Sequence, residues 1–314
     1  MAESPVKVHS PLWKSRVPRD LGAGWDFDDV RDHYFRVLFG LDPLDVRYSD
    51  HERYLELSRV VTGEVMAATF REWRRARSTC HGALIWFWRD LWLGAGWGIV
   101  DSSGAPKSAW YFLKRILQPR TVFFTDESGN GLSAHVANEA AEPLQATLQV
   151  ALYRSGRIPV GNKTTAVTVA PRECVEIPVV QLLDGFMDLT YTYRFGPPSC
   201  DLVVGTLTRE DGAVLARDFF FPLGPGCAVE SDLGLTASAQ TLPNGDVDLL
   251  VRSERAARFV TVRTPGFRAE DQYFHLAPGG EHPVRLQRLQ AESTLRGEVR
   301  ALNSAVGCKI LSTA

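Results

Sequence analysis

The sequence predicts a multi-domain chain, an α/β segment followed by an all-β remainder. Three observations lead there. All eight tryptophans fall in residues 1 to 118, where apolar residues recur at helical spacing. From about residue 120 the texture changes to short period-two runs separated by Gly- and Asn-containing turns. The 314 residues leave room for two or three domains at about 100–200 residues each.

In the first region, Asp26 and Asp29 open a helix with Val30, Tyr34, Val37 and Leu38 as apolar positions and Gly40 as its stop. Ser49 and Glu52 have the spacing of a capping box. After them Tyr54, Leu57, Val61, Val65, Phe70 and Trp73 recur on one helical face. The charges Arg71, Glu72, Arg74, Arg75 and Arg77 read as a solvated helix end, its basic residues suited to the dipole. His81 to Trp88 reads as a buried strand, apolar without strict alternation. Lys107 to Leu117 reads as a helix that Gln118-Pro119 ends. Helix, strand, loop, helix is the rhythm of a parallel α/β unit.

Period-two runs follow at Thr121–Thr125, Leu132–Val136, Ala146–Tyr153, Thr165–Val169, Asp188–Tyr193, Leu202–Leu207 and Val214–Phe221. Ser128-Gly129-Asn130-Gly131 and Gly161-Asn162 are read as turns among them. Seven or so short strands over about 100 residues suit an immunoglobulin-like sandwich. Pro222 to Gly226 is a plausible linker. A second strand set runs from Val229 onward, with Asn244-Gly245 marking a hairpin and Phe259 to Arg263 a strand. The expected domains are therefore 1–118, 119–225 and 226–314.

Composition narrows the function. A net charge of −2 gives no electrostatic reason to expect nucleic acid or an anionic membrane as partner. No apolar run approaches the ~18 residues of a membrane span, and the start does not read as a secretory signal. Cys80, Cys174, Cys200, Cys227 and Cys308 are odd in number and form no Cys-x-x-Cys pair, which fits reduced side chains in a cytoplasmic protein. The seven histidines lack metal-ligand spacing, and neither Gly-x-Ser-x-Gly nor a phosphate loop occurs. No cofactor or metal is expected.

The most informative stretch is Gly82-Ala-Leu-Ile-Trp86-Phe-Trp88-Arg89-Asp90-Leu-Trp92, followed by Trp97, Asp101, Gly104 and Lys107. Flat indole faces beside hydrogen-bonding groups are what a sugar ring binds to. The pattern resembles the end of the catalytic barrel in family 2 glycoside hydrolases of the β-mannosidase type, where the segment reads roughly Gly-x-Leu-x-Trp-Gln-x-Asn-Asp-x-Trp. Asp271-Gln-Tyr-Phe-His-Leu-Ala-Pro-Gly likewise resembles the Asp-Asn-Tyr-Phe-Asp-Leu-x-Pro-Gly signature of that type's terminal sandwich. The two motifs stand in the family's order.

The resemblance implies residues 1–118 as the terminal fragment of a TIM (β/α)8 barrel, since a whole barrel takes about 250 residues, followed by two immunoglobulin-like β-sandwiches. It implies a retaining enzyme acting on terminal β-mannosides or related β-glycosides. Trp86 would be the platform under the sugar, and Asp90 would accept sugar hydroxyls or hold the following loop. Trp88 and Arg89, with Phe87, depart from the family's pattern and would alter hydrogen bonding and charge at the mouth. Trp92 joins the binding candidates, although it and Trp97 also suit packing of the loop, and Asp101, Gly104 and Lys107 suit a turn. Arg16, Arg19, Asp28, Arg31, Asp32 and His33 could reach outer subsites or serve as caps and surface pairs.

Retaining glycosidases need two carboxyl groups about 5–5.5 Å apart. No match to the family's two glutamate motifs occurs: Asn138-Glu139 lies in the first sandwich, and Glu3 lacks the right neighbours. The expected state is a chain inactive alone, with no catalytic residue of its own, to which a second polypeptide could supply the rest of the barrel. Two other readings stand beside this one. The first is a non-catalytic carbohydrate-binding or interaction protein built on two sandwiches, with Tyr153, Tyr191, Tyr193 and Tyr273 as its large polar rings. The second is a scaffold that only braces a barrel.

Overall fold

The computed structural model describes residues 10–16, 24–94, 96–226 and 228–312. It divides into two compact units, Met1–Thr69 with Cys80–Lys114, and Phe70–Thr79 with Arg115–Ala314. Arg19 and Glu3 lie outside the described residues, as does Cys227. Of the remaining cysteines, Cys174, Cys200 and Cys308 are free thiols. Among the described residues no helix is long and apolar enough to cross a membrane.

The first unit is helical: α1 (Pro11–Arg16), α2 (Phe27–Phe39), α3 (Pro43–Ser49), most of α4 (His51–Arg74) and most of α5 (Ser108–Ile116). Asp26 caps α2, its carboxylate accepting from the N–H groups of Asp28 and Asp29 while Asp29 accepts from Asp26 N–H. Gly40 ends the helix in the left-handed region, φ 63°. The apolar positions read from the sequence are not its packing face: Val30, Tyr34 and Val37 are exposed, whereas Phe35 and Asp28 are buried. Asp50, not Ser49, caps α4 by accepting from the Arg53 N–H at 3.0 Å, and the Ser49 hydroxyl turns back to Asp45 O. Tyr54, Leu57, Val60, Val61 and Ala67 form the buried stripe of α4, and Phe112 on α5 packs closely over Gly63.

The expected strand at His81–Trp88 is absent. The segment is irregular, with Leu84 and Trp86 exposed, and only Arg89 makes an isolated parallel bridge, to Val100. A strand is stable only beside a partner that takes its N–H and C=O groups. No strand runs alongside residues 81–88 among the described residues.

The second unit is two sandwiches and the last turns of α4. In the first sandwich, β1 (Arg120–Asp126), β2 (Leu132–Asn138) and β5 (Glu173–Pro178) form one sheet in the order β1-β2-β5. β3 (Leu144–Arg154), β4 (Ile158–Val169), β6 (Leu202–Arg209) and β7 (Val214–Phe220) form the other, in the order β4-β3-β6-β7. All pairings are antiparallel. Leu148, Val150, Leu152, Val136 and Leu207 fill the space between the sheets.

Gly161-Asn162 is not a turn. It lies inside β4, and the chain reverses at Ser155-Gly156, where both residues take positive φ (54° and 59°) as a tight hairpin requires. β5 was not foreseen. Asp188–Tyr193, expected as a strand, is a loop instead, because the Asp188 carboxylate accepts from the N–H groups of Thr192, Tyr193 and Arg194 and so removes them from any ladder.

The second sandwich opposes two sheets of nine strands in all: β8 (Thr236–Thr241), β9 (Val247–Arg252), β10 (Ala257–Arg263), β11 (Phe267–Ala269), β12 (Phe274–Leu276), β13 (Glu281–Arg288), β14 (Glu298–Arg300), β15 (Cys308–Lys309) and β16 (Leu311–Ser312). Their orders are β11-β13-β9-β8-β16 and β12-β10-β14-β15. Val251, Val260, Leu286 and Val299 are fully buried between them. Asn244-Gly245 does form the β8–β9 hairpin. Gln272 takes the place of a strand neighbour, its amide donating to Val262 O and accepting from Val262 N–H, each at 2.8 Å.

The arginines that close α4 are not a solvated end. Arg71 pairs with Asp218 at 2.9 Å, Arg74 with Glu139 at 2.6 Å, and Arg75 with Glu127 at 2.6 Å. Arg74 also donates to the carbonyls of Ile116 and Gln118. These bonds satisfy the last carbonyls of α5 and fasten the end of α4 to the first sandwich.

Candidate functional site

The segment from Trp86 to Lys107 carries the sequence-derived site residues. Trp86 is 69% exposed, Trp88 62% and Trp92 54%, so the indoles form an open rim. Trp86 meets Phe87 edge-on, with centroids 5.6 Å apart, and Trp97 lies behind both at 6.4 and 5.9 Å. Phe27 at the start of α2 backs Trp97 at 5.5 Å. Trp88 turns to the other side and rests edge-on against Trp110 of α5 at 5.4 Å. Phe87 holds φ 65°, a left-handed conformation that costs a bulky side chain and turns the chain between the two indoles.

Asp90 anchors this rim from below. Its side chain is only 5% exposed, forms an ion pair with Lys107 and accepts from the Gly98 N–H at 2.8 Å. Lys107 also donates to Gly96 O at 3.1 Å. A Cβ at Gly96 or Gly98 would run into the Asp90 carboxylate, so the loop needs glycine to wrap so closely around it. Of the two roles considered for Asp90, its geometry is that of holding the loop. Arg89 donates to Ser102 O and is otherwise exposed. Asp101 accepts from Ser103 N–H, Ser103 Oγ–H and Ala105 N–H, closing the turn before α5. Burial pushes the Asp101 carboxyl up, but these bonds together with Lys107 hold it below the ordinary carboxylate range. The Trp97 Nε1–H is buried with no acceptor among the described residues.

The acidic and basic residues of α2 form a separate network. Arg31 contacts Asp28 at 3.0 Å and Asp32 at 3.1 Å and donates to the Tyr54 hydroxyl, which in turn donates to Asp32 at 3.0 Å. Burial and the neighbouring Asp32, outweighing Arg31, push the Tyr54 hydroxyl up to about 12. Asp28, Arg31 and Asp32 thus tie α2 to α4, while His33 lies edge-on to Tyr34.

Asn138 and Glu139 are structural. The buried Asn138 amide donates to three carbonyls, those of Glu142, Val169 and Ala170, and Glu139 faces Arg74. Sequence reasoning missed one cluster: the sheet register sets His135 opposite Glu176, and Glu127 approaches from the turn after β1, ligand atoms within 4.8 Å of one another. The cluster does not fit a metal. His135 Nδ1 accepts from the Ala76 N–H at 3.3 Å and Nε2 lies 2.8 Å from Thr125 Oγ1, which reaches Glu127 at 2.6 Å. Arg75 already neutralises Glu127, and Glu176 accepts from Ser133 at 2.9 Å. Nor is Glu127 with Glu176 a glycosidase pair, because the fully buried His135 ring fills the space near both where a sugar would have to lie. The loop before β6 carries three exposed rings, of which sequence reasoning named Tyr193 and missed Phe186 and Phe195: Phe186 and Tyr193 lie 5.6 Å apart, and Tyr193 and Phe195 are nearly parallel at 5.9 Å.

No family model matches the chain. It is 25% identical over 257 residues to β-mannosidase B of Aspergillus terreus and 27% identical over 257 residues to β-mannosidase B of Aspergillus oryzae. These alignments cover 78% and 77% of this chain, and the chain spans about 30% of the length of either relative. In fold it matches the β-D-mannosidase of Dictyoglomus thermophilum with TM-score 0.69 at 17% identity, over 90% of this chain and 32% of that one. It matches the exo-chitosanase of Amycolatopsis orientalis with TM-score 0.63 at 15% identity, over 82% and 34%. In sequence and in fold the chain resembles β-mannosidases, the type of family 2 glycoside hydrolase that its two motifs resemble.

Proposed function

We propose that the chain supplies the C-terminal part of a retaining β-glycosidase that acts on terminal β-mannosides or related β-glycosides. On this reading residues 1–118 are the end of the catalytic barrel, and residues 119–225 and 226–314 are immunoglobulin-like sandwiches that brace it. The observation that carries it is the exposed rim of Trp86, Trp88 and Trp92 on a loop locked by Asp90 and Lys107. So much exposed indole surface is costly to leave in water and is held in place, as a sugar-binding wall requires. Arg89 at the mouth would adjust which sugar is accepted.

The reading assigns both catalytic carboxyl groups to polypeptide that completes the barrel, and none to this chain. The test is hydrolysis of an aryl β-mannoside. The purified chain alone should give no turnover. Mixed with the N-terminal two-thirds of a β-mannosidase B relative, it should give activity that Trp86→Ala lowers at least about tenfold in kcat/KM. Robust turnover by the lone chain, abolished by changing one of its own acids, would overturn the proposal.

A second reading, a non-catalytic carbohydrate-binding protein, is favoured by the exposed Phe186, Tyr193 and Phe195 rings on the first sandwich. Asp188 and the Tyr193 hydroxyl, donating to Gly129 O at 2.9 Å, fix that loop. Calorimetric binding of manno-oligosaccharides by the full chain, lost in Tyr193→Ala and kept in Trp86→Ala, would select it.

A further inference from the structure

A cleft of about 220 Å³ opens within the second unit, between the outer face of the β4-β3-β6-β7 sheet and the β12–β13 segment. The register builds its floor in two rows. Gln149, Thr206 and Arg217 lie side by side across β3, β6 and β7, and Ala151, Val204 and Phe219 form the next row. The floor is therefore polar with a cation at one end, and apolar one step along. Ala151 is small, and this leaves the space.

His275 forms the roof. Its Nδ1 accepts from the Phe259 N–H at 3.3 Å, so the ring proton resides on Nε2, which has no partner in the protein among the described residues. Three phenylalanine rings cage the imidazole, Phe259 at 4.5 Å, Phe219 at 5.1 Å and Phe221 at 5.2 Å. Burial holds His275 well below the usual histidine range, and the fields of Arg115, Arg258 and Arg71 add to this. The ring stays neutral and offers an N–H.

Counting polar groups shows what is left over. Arg217 has only a 3.5 Å contact to Glu281 O and no carboxylate partner among the described residues. The two nearby carboxylates are taken, Glu281 by Arg252 at 2.9 Å and Asp218 by Arg71 at 2.9 Å. Donors, one of them charged, remain without acceptors beside an apolar row. Size sets the rest. A cavity of about 150 Å³ holds a benzene ring, and drug-sized sites run from about 300 Å³.

We propose that this cleft binds a small ring-shaped carboxylate, its anionic group on Arg217 and His275 Nε2–H and its ring over Ala151, Val204 and Phe219. The ligand chemistry has two ready sources, an acidic monosaccharide and an aromatic acid. The site does not depend on the glycosidase reading, since none of its residues belongs to the aromatic rim.

The test is calorimetric titration of the full chain with sodium glucuronate, sodium benzoate, methyl glucoside and sodium phosphate. At least one ring carboxylate should bind with one-to-one stoichiometry at millimolar affinity or better, and methyl glucoside should not. Arg217→Gln, at an exposed position that the core does not need, should weaken binding at least about tenfold. Ala151→Leu, which fills the floor, should abolish it. Glucuronate binding alone identifies the acidic sugar, and benzoate alone the aromatic acid. Absence of binding by both carboxylates, binding of phosphate alone, or affinity unchanged in both variants would overturn the proposal.

Discussion

Asp271→Asn removes one charge from a network that joins Arg115, Gln272 and His282. The Asp271 side chain is 16% exposed and that of Arg115, its ion-pair partner, 28%. The carboxylate also accepts from Gln272 N–H at 2.9 Å and lies 2.9 Å from His282 Nε2. Removing one member of a fully buried pair costs about 3–5 kcal/mol, and a single charged hydrogen bond is worth about 1.5–3. Here Arg115 keeps the carbonyls of Gln272 and Tyr273 at 2.9 and 3.0 Å and some water. The loss should therefore sit near about 2 kcal/mol at pH 7. With a urea dependence of about 2–3 kcal/mol per molar, the midpoint falls by about 0.7–1 M.

The pH dependence gives a second, independent check. Burial pushes the Asp271 carboxyl up, but Arg115, His282 and the Gln272 N–H together hold it below the ordinary range. A depressed carboxylate contributes stability that is present above its unfolded value, about 4, and is lost as pH falls through the folded value. The gap between wild type and Asp271→Asn should be full at pH 7 and shrink below about pH 4. Urea unfolding followed by far-ultraviolet circular dichroism measures both. Equal midpoints at pH 7, or a gap undiminished in acid, would refute the reasoning.

Three further outcomes follow from the packing. Gly63→Ala places a Cβ inside the Phe112 ring; overpacking of about 1–3 kcal/mol should exceed the gain of about 1 kcal/mol in helix propensity. Because seven of the eight tryptophans lie in the first unit and Trp73 in the second, tryptophan fluorescence should show that loss while the sheet signal barely moves. Leu148→Ala, in the core of the first sandwich, should cost about 2–5 kcal/mol and shift the sheet signal first. Burial, with help from Arg75 and against Glu176 and Glu127, lowers the His135 pKa, so its contribution is present above about pH 6.5 and lost as pH falls through the folded value. The wild-type urea midpoint should then drop more between pH 7.5 and 5 than that of His135→Gln, and parallel profiles would count against this.

What the sequence made legible is the chemistry that acts within a few residues. Asp26 accepts from its own helix start, Gly40 releases the end, and the alternation in β3 follows from one sheet face meeting the core. Where the deciding partner lies far along the chain, the same patterns mislead. Asp188–Tyr193 alternates as a strand does, yet one carboxylate takes three of the amides that a ladder would need. His81–Trp88 has the composition of a buried strand, but burial is a property of neighbours, and Trp86 and Trp88 stand exposed.

The candidate site divides along the same line. Its aromatic rim was visible because the residues are consecutive. The Asp90–Lys107 pair that positions it spans 17 positions, and the Glu127, His135 and Glu176 cluster exists only because β2 and β5 pair in one register. The arginines read from the sequence as a solvated helix end became the bonds between the end of α4 and the first sandwich, since Asp218, Glu139 and Glu127 arrive there from three separate turns or strands. A charged helix end therefore says where cations are, and only the fold says which carboxylates meet them. The same reasoning makes Arg217, whose guanidinium meets no carboxylate among the described residues, a residue open to a ligand.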